Sequence, residues 1–229
     1  MIVSIHQPNL FPWMGFFEKM AASDTMILLD QVPYSKRSYQ NRVKIKGTHG
    51  TKWLTVPVQV KGNFAQITHD VLISHDQDWK SKHVKTLEFF YGNSPQFNDL
   101  FPKIQQLYDL EHIDHLIDFT IPSIELIKKE LGITTELIKA STLHAKGTRS
   151  ELLAELVTAI GGDTYLSGPT GKDYIEDHYF KDRGLEIDYH PFQPFPYPQL
   201  FGEFTAGLST LDFLFNVQDL SIWKGLKSL

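Results

Sequence analysis

The sequence contains no cysteine, which removes disulfides, thiolate-bound zinc and a cysteine nucleophile from consideration. It also lacks a basic excess. The formal net charge is −5, whereas a general nucleic-acid or anionic-membrane surface needs clustered surplus Lys and Arg. No apolar run approaches the roughly 18 residues of a membrane span, and no basic segment followed by a long apolar stretch opens the chain. The expectation is a soluble, cytoplasmic protein with no membrane insertion and no nucleic-acid partner. Internal repeats and low-complexity tracts are missing too. What is present is 229 residues, 41% of them hydrophobic, enough to bury a sizeable core as one α/β domain over residues 1–229.

The first stretch sets the organisation. Met1 to Ile5 is a short apolar run that leads into His6-Gln7-Pro8-Asn9. Pro8 has no amide for a ladder and keeps Gln7 out of the helical region, so a strand must stop at His6. A helix is expected over 14–22 with Phe16, Phe17 and Met20 inward, followed by a buried strand over Thr25 to Asp30, which makes a βαβ unit of a parallel sheet. Residues 31–50 break every periodicity and read as a cationic, aromatic loop or hairpin. Thr51 to Val60 reads as a strand shortened by Pro57, and Ile67 to Ser74 as a weak strand. Segments at about 77–91, 96–109 and 112–131 read as helices of a helical insert, with Pro122 expected to kink or split the third. Strand and helix then alternate again: strands at Thr135 to Lys139, Thr164 to Leu166 and Leu185 to His190, and helices at Arg149 to Ile160 and about Leu208 to Asn216. The rhythm implies one mostly parallel, Rossmann-like α/β sheet carrying a helical insert.

Ligands of such sheets bind at the carboxyl ends of the strands, where loops vary and helix N-termini point at the opening. Candidate site residues therefore gather after each strand. His6 and Asn9 offer acid–base or charge-stabilising chemistry, with Gln7 and Trp13 beside them; a structural turn capped by Asn9 is the other reading. Asp30 ends the second strand. Lys36, Arg37 and Arg42 are suited to hold a phosphate or carboxylate, with Tyr34, Tyr39 and Asn41 interleaved to stack or bond, and Lys44 and Lys46 add to the same cationic loop. The alternative there is a solvated basic loop. Ser167-Gly168 opens a second Gly-rich loop; the following Pro169 to Lys172 lacks full P-loop spacing and is read only as a simple ligand loop. Tyr197 and Gln199 lie in the proline-rich 191–198 stretch, and Asp212 with Asn216 share a helix face, as site floor or as satisfied core partners. His112 and His115 bracket Asp114 without a third ligand, so no metal site is assigned.

Taken together, His6-Gln7-Pro8-Asn9, Pro12-Trp13, Gly15-Phe16, Lys19, Asp30, Lys36-Arg37, Arg42, Thr55-Val56-Pro57-Val58, Ser167-Gly168, Tyr197-Pro198-Gln199 and Leu208-Ser209 to Asn216 resemble the WbqC-like protein family almost end to end. That resemblance implies transfer of an acyl or aminoacyl group, such as glycyl, to an amino sugar or related amine in bacterial surface-polysaccharide (O-antigen) synthesis. The resemblance supplies no mechanism; from the residues themselves, His6, Asn9 and Lys36 are read as the catalytic groups of such a transferase, with an anionic small-molecule donor and an amine or sugar acceptor. A non-catalytic nucleotide-sugar or glycan-precursor binding protein is the alternative. A second resemblance is to the H-x-G-H nucleotidyltransferase superfamily, including pantothenate synthetase-like ligases, and it implies ATP with Mg as cofactor. Here His6 matches the first His, whereas Asn9 stands for the second and Pro8 for the Gly. Pro8 removes a phosphate-binding amide, which weighs against that chemistry.

Overall fold

The computed structural model describes residues 1–59, 65–220 and 223, so the last residue of the expected Thr51 to Val60 strand lies outside them. In chain order the elements are β1 (Ile2–His6), α1 (Met14–Ala21), β2 (Thr25–Leu28), β3 (Arg42–Gly47), β4 (Gly50–Thr55), α2 (Trp79–Tyr91), α3 (Phe97–Tyr108) and α4 (Ile117–Glu130). They continue with β5 (Glu136–Lys139), α5 (Arg149–Ala159), β6 (Thr164–Ser167), α6 (His178–Lys181), β7 (Glu186–Tyr189) and α7 (Thr210–Asn216). These fall into two compact units. One comprises residues 1–7, 15–31 and 133–193, the other residues 8–14, 32–132 and 194 onward.

The first unit is built on a five-stranded sheet in the order β5-β2-β1-β6-β7, every neighbouring pair parallel. The apolar strands dictate this. Val3, Ile5, Met26, Ile27 and Leu28 are all buried, as strands covered on both faces require. Helix α1 buries Phe16, Phe17 and Met20, and its end is fastened by the Ser23 hydroxyl donating to the Met20 carbonyl at 2.9 Å. Gly162 lets the chain turn from α5 into β6 against Val3 and Val157, where an added Cβ would come within 2.6 Å of the Val3 side chain. Taken in sheet order alone, the five strands run 3-2-1-4-5, the Rossmann arrangement. From β1 the chain steps outward through β2 to β5, then returns to add β6 and β7 on the opposite side of β1. The direction reverses between β1 and β6, so a crevice is expected at the carboxyl ends of those two strands.

The second unit joins an antiparallel hairpin, β3 with β4, to helices α2, α3, α4 and α7. Asp78 caps α2 by accepting from the Ser81 amide at 3.1 Å, and Ser209 caps α7 by accepting from Leu211. Its core is aromatic: Trp79, Phe119, Tyr108 and Phe11 pack edge to face or tilted, and Tyr91 stacks on Phe215 with centroids 4.5 Å apart. His83 fits this core as a neutral ring, its Nε2 donating to the Thr55 carbonyl at 3.1 Å and its Nδ1 accepting from the Tyr108 hydroxyl at 3.0 Å. Burial holds its pKa down at about 4. Two expectations are corrected here. Ile67 to Ser74 is a 3₁₀ turn over Thr68–Asp70 flanked by isolated bridges, because the Thr68 side chain and amide are spent on the Val32 carbonyl rather than on a ladder. Pro122 does not split α4, since the helix begins only at Ile117 and runs as one element through it. Among the described residues, no helix is long and apolar enough to cross a membrane.

Candidate functional site

Strand β1 ends at the carboxyl edge with His6. Its Nδ1 lies 2.9 Å from the Gln7 carbonyl, which can only accept, so the ring carries its proton on Nδ1 and leaves a lone pair on Nε2. The ring leans edge-on against Phe16 at 4.9 Å. Burial, and secondly the nearby Lys19 charge, lower its pKa to about 3, against a smaller upward pull from the Gln7 carbonyl. The imidazole is therefore neutral at physiological pH. A triphosphate cradle would need an imidazole N–H directed at the phosphates, and the one N–H of this ring is already taken.

Lys19 is only 6% exposed, and its ammonium donates to the Ile5 carbonyl at 2.9 Å. Burial brings its pKa down to about 8. The next side chain back, Glu18, faces His190, with Oε2 and Nε2 3.5 Å apart and each buried without a formed hydrogen bond. Burial raises the Glu18 carboxyl, and His190 opposes that shift. His190 belongs to the same edge because its amide donates to the Ser167 carbonyl at 2.9 Å. The pairing of Ser4 with Leu166 sets Ser167 and Gly168 at the same end of the sheet as His6. The edge thus collects His6, Lys19, Glu18, His190 and the Ser167-Gly168 loop around the point where the strand order reverses.

The loop after Ser167 depends on a close approach. A Cβ on Gly171 would stand 2.1 Å from the Ser167 hydroxyl and 2.8 Å from Ile175, whereas one on Gly168, whose φ is −73°, would meet nothing within 4 Å. Gly171→Ala is expected to cost roughly 1–3 kcal/mol through overpacking, and Gly168→Ala to be nearly neutral; paired thermal melts check both. Equal melts would mean that the loop relaxes without loss.

Asp30, also in this unit, is fully buried and accepts from the Ser141 amide at 2.8 Å and its hydroxyl at 2.6 Å, fastening the turn after β5. Gln7 contributes its carbonyl to His6.

The remaining candidates lie in the other unit. Asn9 is buried, and its amide makes no hydrogen bond among the described residues. The loop around it is pinned: Leu10 N–H bonds the Tyr39 carbonyl, Phe11 N–H the Ser123 hydroxyl, and Ser209 Oγ donates to the Phe11 carbonyl. Phe11 is thereby held at a φ of +38°. Trp13 forms an isolated bridge with Ser209. Asn41 braces β4 through its Nδ2 on the Val56 carbonyl at 2.9 Å. Lys36 and Arg37 are exposed, and Arg37 has a φ of +59°. Arg42 donates to the Arg37 carbonyl and lies over Trp53, 4.2 Å from the ring centroid, with Lys44 at 5.2 Å and the Tyr39 ring 5.7 Å away. The basic loop is thus organised by a ring that the motif reading did not include. Trp53 stands directly across from Lys44 in the hairpin, a pairing visible only once the register is known. Burial pushes the Tyr34 hydroxyl up to about 12, opposed by the charge of Arg42.

Tyr197, Gln199, Asp212 and Asn216 come together in a polar network, with Asp212 and Asn216 buried and Tyr197 and Gln199 half-buried. Tyr91 and Tyr197 donate to Asp212 at 2.7 and 3.0 Å, and Asn216 donates to the Asp212 carbonyl at 2.7 Å. Lys46 donates to Gln199 at 2.9 Å and to the Glu203 carbonyl, while Gln199 holds Thr205 at both its amide and its carbonyl. Burial raises the Asp212 carboxyl, against the two hydroxyls and Lys46. The sequence reading missed Glu18, Lys19 and His190 as a group and Tyr91 as an Asp212 partner. A Lys within an otherwise apolar helix face was the signal for Lys19.

A family model described as the WbqC-like protein family matches residues 7–222. The uncharacterized protein Rv1507c of Mycobacterium tuberculosis is 33% identical over 216 residues, covering 94% of this chain and 93% of its own. No solved structure matches.

Proposed function

The chain belongs to the WbqC-like protein family, and from that membership together with the chemistry of the sheet edge we propose that it transfers an acyl or aminoacyl group, such as glycyl, to an amino sugar or related amine in surface-polysaccharide (O-antigen) synthesis. The observation that carries this reading is the neutral His6, with Nδ1–H tied to Gln7 and the Nε2 lone pair at the carboxyl edge where the strand order reverses. An amine attacking an acyl carbon must shed a proton as the C–N bond forms. Nε2 accepts that proton, and the resulting imidazolium returns it to the leaving group as the acyl bond breaks. In the free protein His6 is a weak base. An anionic donor near Lys19 offsets one cause of that weakness. The Glu18–His190 pair supplies a second proton-handling group on the same edge. Within the other unit, taken by itself, Asn9 and Lys36 are proposed as catalytic groups and Arg37 and Arg42 as holders of an anion.

The exposed rings of Trp53 (40%) and Tyr39 (44%) beside Arg42 favour one rival, a binding protein that stacks a nucleotide-sugar without transforming it. The two are separated by incubating the protein with thioester or ATP-activated acyl and glycyl donors and amino-sugar nucleotides, reading amide product by mass spectrometry and binding by calorimetry. His6→Ala is expected to lose on the order of 100-fold or more in turnover, well beyond any weakening of donor binding, in a variant that still folds. Undiminished turnover in that variant overturns the assignment of His6, and loss of binding alone supports the rival.

A further inference from the structure

We infer that the Lys19 ammonium and His6 Nε2 form a subsite for a small oxyanion, carboxylate or phosphate, that carries a hydrogen-bond donor next to its charge. The inference deepens the proposed function, resting on the same sheet edge, but its test uses no turnover. Lys19 is more than nine-tenths buried, and of its three N–H groups one reaches the Ile5 carbonyl; the other two have no acceptor among the described residues. Among the described residues no carboxylate pairs with it either, since the adjacent Glu18 is turned to His190. A buried cation left in this state is costly, because desolvation is not repaid by a counter-charge. A bound oxyanion would supply both the missing charge and the missing acceptors.

The second feature sets which oxyanion. Lys19 is fastened to the carbonyl of Ile5, the residue before His6, and its charge is felt at the imidazole, whose second nitrogen accepts rather than donates. A fully deprotonated oxygen placed there would meet a lone pair. A group with an N–H or O–H beside its charge, such as an amino acid or a singly protonated phosphate, satisfies both partners: oxygen toward Lys19 and donor toward Nε2. Acetate satisfies only the first.

The probes are inorganic phosphate, glycine and acetate, each compared with chloride at equal ionic strength. At saturation phosphate or glycine is expected to raise the wild-type melting temperature by roughly 2–4 °C and acetate by less; which of the two acts identifies the source of the anion. Lys19→Met is expected to abolish the shift while its own melt stays level or rises, because a lone buried charge has been removed. A structural role for Lys19 predicts the reverse, a lower melt with the anion shift intact, and that result overturns the subsite. Should the variant not fold, ¹H–¹⁵N imidazole spectra of the wild type decide the matter: the binding anion must move the His6 Nε2 resonance and leave His83 unmoved. No shift with any of the three anions, or an unmoved His6, rejects the inference. Anion binding without amide formation would instead leave the subsite standing and reject the transfer chemistry.

Discussion

Asp212→Ala is expected to lower stability by about 3–5 kcal/mol, the range for breaking a buried charged network by removing one partner. The carboxylate is fully buried and is the acceptor for both Tyr91 and Tyr197. Its loss strands the buried Tyr91 hydroxyl and the half-buried Tyr197 hydroxyl and takes from the buried Lys46 the carboxylate that opposes its charge. Asp212→Asn keeps one oxygen acceptor and should cost less. Denaturant unfolding of the three proteins measures this. An alanine variant within about 0.5 kcal/mol of wild type, the ordinary scatter of a surface change, would show that Tyr91 and Tyr197 find other acceptors and that the network is dispensable.

Acidification is expected to unfold the protein partly through His6. Its pKa falls from an ordinary 6.5 to about 3 on folding, so between those values the unfolded chain binds a proton that the folded chain refuses. Stability from this group is complete above pH 6.5 and drains away as the pH drops toward 3. The whole shift corresponds to roughly 5 kcal/mol, and the ring's remaining contact with water reduces the expected loss to about 2–3 kcal/mol. His83, lowered to about 4, adds a separate contribution in the same direction. His6→Gln removes the first contribution and keeps the second. Denaturant midpoints at pH 7, 5 and 4 should therefore converge for the two proteins as the pH falls, and parallel curves would mean that His6 titrates normally.

The parts of this molecule that local chemistry decides were legible in the sequence. Pro8 has no amide, so β1 could end only at His6, and the unbroken apolar run of Thr25 to Leu28 could belong only to a strand covered on both faces. From these and the later strands the parallel Rossmann-like sheet follows, with Ser167 on the same edge as His6. What distant packing decides was not legible. Lys19 reads as an ordinary helix cation until α1 lies against the sheet and buries it. Glu18 and His190 are joined only by the fold, as are Asp212 and Tyr91. Ile67 to Ser74 was read as a weak strand because nothing local reveals that Thr68 is claimed by the Val32 carbonyl. The cationic loop was seen as a concentration of charge, but Arg42 is packed on Trp53 rather than simply solvated.

The central position of β1 has a consequence for biosynthesis. This strand is made first, yet one of its two edges stays open until β6 has been made, because Ile2 pairs with Thr164. A nascent chain can close β1 on β2 early, but all of residues 32–132 must emerge before β5 and β6 arrive to complete the sheet. Through that interval an apolar parallel edge is exposed, the kind of long-range pairing that folds slowly and invites aggregation. Ribosome-bound chains halted before residue 164 should therefore be captured by chaperones far more readily than chains halted after residue 193, where the last segment of the sheet's unit ends.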